Sequence, residues 1–168
     1  YILVGLETAC PTALPANIRF LPAASVMAMD EDVTSLMRKK DSSIWLATQL
    51  VKDGEADAVL SAGSTAAQMA AATLLLGRTP GVARPAISTV LPRPDGQGLL
   101  LDVGANVDCE AKLLLQFARM GAVYAQALQG KENPSIGLLV NGAEDHKGNK
   151  LTREAFQLLQ ESGLNFVG

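Results

Sequence analysis

Apolar positions along this chain switch repeatedly between two periods. Short β-branched and aliphatic runs read as strands at Tyr1 to Gly5, Ile18 to Leu21, Ala56 to Ser61, Ala86 to Leu91, Gly98 to Val103, Ile136 to Val140 and Leu164 to Val167. Between them lie runs with a helical stripe. Ser42 to Lys52 places Ile44, Ala47, Leu50 and Val51 on one face, and Gly54 supplies a stop. Thr65 to Leu76 is rich in Ala and Leu and closes at Gly77; Ala111 to Leu128 and Leu151 to Ser162 continue the series. Pro92-Arg93-Pro94-Asp95-Gly96 is turn chemistry, so the strands on either side of it predict an antiparallel hairpin. Strands alternating with helices predict an α/β domain with a mostly parallel sheet and helices on both faces, extending as a single domain over residues 1–168. Trp45 and the methionines Met27, Met29, Met37, Met69 and Met120 read as core.

Composition narrows the function classes. The 168 residues are 48% hydrophobic and 18% charged, which excludes a disordered chain. No apolar run reaches the roughly 20 residues of a membrane span. The net charge of -3 argues against a nucleic-acid partner. Cys10 and Cys109 fit no metal spacing and read as free thiols, and a single histidine, His146, excludes any site needing two imidazoles. The opening Tyr1-Ile2-Leu3-Val4-Gly5 has no basic lead and no initiator Met, so it reads as a strand cut from a longer chain.

Three segments at strand ends carry candidate chemistry, because ligands of open α/β sheets gather outside the carboxyl ends of strands. In Ser61-Ala62-Gly63-Ser64-Thr65, backbone N–H groups and hydroxyls at a helix start suit an anion; an ordinary helix cap is the competing explanation. In Asp102-Val103-Gly104-Ala105-Asn106-Val107-Asp108-Cys109, Asn106 is a candidate donor to a phosphate or an oxyanion, Gly104 permits close approach, and the carboxylates orient neighbouring donors; an Asx-turn with a cap for the next helix competes. In Glu144-Asp145-His146-Lys147-Gly148, Lys147 is a point charge with the reach to meet an anion, and a solvated loop lysine competes. A fourth segment, Arg38-Lys39-Lys40, puts cations near a helix start, where the dipole disfavours them, and hints at an anionic partner.

Together these segments resemble the PlsX-type phosphate acyltransferases. That family carries S-A-G-N-T-G-A-L-M, here Ser61 to Met69, and R-P-A, here Arg84 to Ala86. It also carries D-x-G-A-N-x-D-C, here Asp102 to Cys109, and F-A-x-M-G, here Phe117 to Gly121. A basic stretch running into a Ser pair (Arg38 to Ser43) and a glycine-acidic loop ending in Lys-Gly (Gly142 to Gly148) complete the set. The departures are Ser64 for Asn, Ala66 for Gly, Val140 for Asn, Ala143 for Glu and Asp32 for Pro. The family's opening segment and C-terminal half are absent.

The resemblance implies a three-layer α/β/α fold similar to isocitrate and isopropylmalate dehydrogenases, usually as a homodimer. It implies acyl transfer from acyl-carrier protein to inorganic phosphate, giving acyl phosphate for phospholipid synthesis, in a cytoplasmic protein that associates peripherally with the membrane. No cofactor or metal is implied. Lys147 and Asn106 are the expected catalytic residues; Ser61, Gly63, Ser64, Thr65, Gly104 and Asp108 the phosphate and substrate contacts; Arg38, Lys39 and Lys40 the carrier-protein docking surface. The turns beginning at Ser61, Asp102 and Gly142 are expected to converge on one oxyanion. The rival readings are a phosphotransacetylase-like enzyme using acyl-coenzyme A, and a non-catalytic carrier-binding or dimerisation module.

Overall fold

The computed structural model describes residues 1–94, 96–140 and 148–168. Its internal contacts gather in two compact units, Tyr1–Pro80 and Gly81–Gly168.

In the first unit, strands β1 (Ile2–Leu6) and β2 (Arg19–Ala23) pair in parallel, with Ile2 opposite Arg19 and Leu6 opposite Ala23. Helices α1 (Ser43–Lys52) and α2 (Thr65–Leu75) follow where the apolar stripes predict them. Between β2 and α1 a 3-10 turn, Val33–Met37, drives Leu36 into the core with Ile44, Ala67 and Ala71, and Met27 and Trp45 pack against that cluster. Asp32 caps this turn: its Oδ1 accepts from the Thr34 N–H at 2.7 Å and the Thr34 hydroxyl at 2.7 Å. An acidic residue where relatives of the resembled family place proline therefore has a local structural purpose.

In the second unit, β3 (Ser88–Arg93) and β4 (Gly96–Leu101) form the predicted antiparallel hairpin, with Ser88 opposite Leu101. Helix α3 (Ala111–Gln129) and helix α4 (Lys150–Gln160) pack on each other, and α3 also packs on β4. Buried Leu113, Phe117, Ala122, Ala125, Ala155 and Leu159 lie on the two helices. Small residues at three of these six positions allow close helix approach.

The architecture is α/β, but the described strands make two two-stranded sheets, one parallel and one antiparallel. Three predicted strands did not form. Residues 56–61 make no ladder, and Leu60 is 98% exposed. Ile136–Val140 and Leu164–Val167 are reduced to one parallel bridge between Ile136 and Phe166, held by Ile136 N–H to Asn165 O at 2.9 Å and Val167 N–H to Ile136 O at 2.9 Å. A strand needs a neighbour to accept and donate along its length, and apolar alternation alone does not supply one. The methionines also divide: Met27 packs on the core, whereas Met29 is 72% and Met37 51% exposed, against the expectation that all five are core.

The segment around Val33–Met37 is laced by one carboxylate. Glu31 accepts from Lys39 Nζ at 2.8 Å, from the Ser35 hydroxyl at 2.6 Å and from the Ala28 N–H at 3.2 Å. The hydrogen bonds from Lys39 and Ser35 hold its carboxyl at about 2, below the ordinary 4.5. A depressed carboxyl contributes stability above its ordinary value and loses it as pH falls. The wild-type chain therefore loses stability between pH 4.5 and about 2 more steeply than Glu31→Gln does. Urea midpoints across that window check this, and parallel curves would remove Glu31 from the acid response.

Candidate active site

The Ser61–Thr65 loop is an N-cap. Ser64 precedes α2, and its hydroxyl oxygen accepts from the Ala67 N–H at 3.3 Å. Ser is among the preferred N-cap residues, as Asn is, so the departure at position 64 keeps a capping side chain. The Ser61 hydroxyl accepts from the Gly63 N–H at 3.1 Å, which curls the loop. Thr65 and Gly63 are exposed. Here the capping explanation describes what both serine hydroxyls do inside the molecule.

The Asp102–Cys109 loop is organised by one carboxylate. Asp102 Oδ1 accepts from the Ile87 N–H at 2.8 Å and the Ala105 N–H at 3.3 Å. Its Oδ2 accepts from the Asn106 N–H at 2.7 Å and from Asn106 Nδ2 at 3.1 Å. Burial opposes ionisation, but the donors from Ile87, Asn106 and Ala105 outweigh it and hold the carboxyl below its ordinary value. Asp102 is thus an anion at neutral pH that orients neighbouring donors.

Asn106 Nδ2 also donates to Pro85 O at 2.9 Å. Both amide hydrogens of Asn106 are therefore directed at acceptors inside the protein, Pro85 O and Asp102 Oδ2. The side chain stitches residues 84–86 to residues 102–109, and the Val103 N–H to Ile87 O bond at 3.1 Å adds to the seam.

Gly104 has φ +109, a conformation that an L side chain rarely adopts. Among the described residues, the N–H groups of Gly104, Val107, Asp108 and Cys109 have no internal acceptor. Asp108 is exposed, and its carbonyl accepts from Arg84 Nη1 at 3.4 Å. Burial first, then the charge of Asp102, push the Cys109 thiol up, with Arg84 opposing. The loop thus offers unpaired N–H donors with a guanidinium against it.

Arg84 was not among the expected site residues, and the fold brings it to the carbonyl of Asp108. It stands in the R-P-A segment, which served only to mark the resemblance. Its sequence position gives no hint that hydrogen bonds from Asn106 and to Asp102 would fold residues 84–87 against the loop.

The basic segment is less free than its sequence suggests. Lys39 is committed to Glu31 and to Val26 O at 3.2 Å. Lys40 lies 5.7 Å from the Trp45 ring centroid, and Arg38 is exposed. Of the three expected docking cations, Lys39 is tied into the fold. Lys147, with His146, lies outside the described residues. Among the described residues, no group of His, Cys, Asp and Glu is placed to hold a metal ion, and no helix is long and apolar enough to cross a membrane.

Comparison with known proteins matches residues 5–168 to the family described as fatty acid synthesis protein. A phosphate acyltransferase of Desulfitobacterium hafniense (strain DSM 10664 / DCB-2) is 55% identical over 156 residues, 92% of this chain and 47% of the relative. One of Thermodesulfovibrio yellowstonii is 50% identical over 173 residues, 99% of this chain and 50% of the relative. One of Bacillus cereus (strain B4264) is 51% identical over 144 residues, 85% of this chain and 44% of the relative. The chain spans about half the length of these curated relatives. With the family matched along almost all of its length, this chain belongs to the fatty acid synthesis protein family.

Proposed function

We propose that this chain carries part of the active site of an enzyme that transfers an acyl group from acyl-carrier-protein thioester to inorganic phosphate. The single observation that carries this reading is the Asp102 clamp, which shapes the 102–109 loop beside Arg84, where four N–H groups have no acceptor among the described residues. Such N–H groups with a guanidinium suit a tetrahedral oxyanion.

A phosphate oxygen attacks the thioester carbonyl carbon, the C–O bond forms, and the C–S bond breaks. The leaving group is a thiolate whose conjugate acid titrates near about 8.5, so no strong general acid is required. The protein supplies positioning and charge stabilisation. Arg84, Gly104 and the N–H groups through Asp108 and Cys109 hold phosphate, and Asn106 positions the loop. Lys147 supplies a cation to the phosphate or the thioester oxygen. In the first unit, the helix start at Ser61, Gly63, Ser64 and Thr65 offers N–H groups to an anion. Arg38 and Lys40 dock the acidic carrier, within a three-layer homodimeric protein that meets the membrane peripherally.

Purified protein given inorganic phosphate is expected to form acyl phosphate, trapped as hydroxamate, from acyl-carrier protein in preference to acyl-coenzyme A. The opposite preference would favour the coenzyme A reading, and no product from either donor would favour a non-catalytic module. Arg84→Ala is expected to raise the KM for phosphate about tenfold or more, the worth of a hydrogen bond to a charged group. An unchanged phosphate KM would remove Arg84 from the anion site.

A further inference from the structure

The second unit contains an open groove of about 720 Å³ between the start of α3 and helix α4. That volume falls within the roughly 300–1,000 Å³ of small-molecule sites. Cys109, Ala111, Leu151 and Leu158 give it apolar lining. Three carboxylates, Glu110, Glu154 and Glu161, also line it, against two lysines, Lys112 and Lys150. Lys150 is already opposite Glu154, at 3.7 Å. A net negative wall disfavours a phosphate or a free fatty acid and tolerates a neutral, largely apolar chain.

The groove shares one residue with the loop already described. Cys109 both lines the groove and closes the 102–109 segment, with its thiol directed to Asn106 O at 3.7 Å. We infer that the groove receives the acyl chain of the thioester substrate and presents its carboxyl end to the Asn106 loop. This inference rests on the acyl-transfer reading above. Each buried methylene contributes about 0.8 kcal/mol, so a long chain gains affinity here that a short one does not. Burial pushes the Cys109 thiol further up, so it stays protonated and does not compete with phosphate for the acyl group.

The test uses Cys109 as a reporter, in protein carrying Cys10→Ser so that only one thiol reacts. Alkylation by iodoacetamide is followed with S-hexadecyl-pantetheine, a thioether that cannot transfer its chain, and with pantetheine or inorganic phosphate alone. The alkyl probe is expected to slow Cys109 alkylation about tenfold at saturation, pantetheine to leave the rate unchanged, and inorganic phosphate, held at the N–H groups of the loop, to slow it far less than the alkyl probe does. Equal rates with and without the alkyl probe, or equal protection by phosphate alone, would overturn the assignment.

Leu158→Trp, at unchanged melting temperature, is expected to raise the KM for a palmitoyl donor about tenfold and to leave a butyryl donor unaffected. An equal loss for both donors counts against the groove. Protection of Cys109 in protein that turns over no acyl donor would sink the acyl-transfer reading and keep the groove. Turnover without protection would do the reverse.

Discussion

Asp102→Ala is expected to lower acyl phosphate formation about a hundredfold, the scale of a misplaced reacting group, and to cost the second unit about 3 kcal/mol. The carboxylate accepts from Ile87, Ala105 and Asn106, on two segments of chain. Removing it leaves those donors unsatisfied and frees the Asn106 amide that also holds Pro85. Asp102→Asn is expected to fall between wild type and alanine, because one of its two oxygens becomes a donor facing donors. Urea unfolding of the second unit and the phosphate KM are the paired measurements. A stability loss with normal phosphate kinetics would confine Asp102 to scaffolding. Since the carboxyl lies below its ordinary value, its contribution is present at neutral pH and disappears only as pH falls through the depressed value.

Leu36→Ala is expected to cost the first unit about 3–4 kcal/mol, within the range measured for leucines truncated in full burial. Leu36 is 0% exposed and sits among Ile44, Ala67 and Ala71, so its removal opens a void under the first turn of α2. The Ser61–Thr65 loop hangs on that turn through the Ser64 cap, so its geometry loosens with the core. Trp45 packs against the same cluster and is the only tryptophan, which makes its fluorescence a direct reporter. Leu36→Met keeps the volume and is expected to cost less than about 1.5 kcal/mol. Equal unfolding midpoints for wild type and alanine would show that the 3-10 turn contributes little to the core.

Helices were legible in the sequence because their signals are local. Ser64 before the Ala-rich run, Gly54 after the first stripe and Gly77 after the second each act within a turn of their own position. The hairpin was legible for the same reason: its turn chemistry lies between the strands that it joins. The exposed position of Leu60 was not, because a strand is a statement about a neighbour. Residues 56–61 have the right alternation and, among the described residues, no ladder beside them.

The site divides along the same line. Asp102, Gly104 and Asn106 stood out by residue type and spacing, so the sequence alone marked the loop that the Asp102 carboxylate organises. Tertiary structure decided what each group does: the amide of Asn106 is spent on Pro85 and Asp102, Lys39 on Glu31, and Arg84 is brought to Asp108 from a segment 24 residues away. Residue type states which bonds a side chain can make. Only the folded chain determines which partners lie within about 3 Å, because hydrogen bonds are short and their acceptors come from wherever the backbone passes.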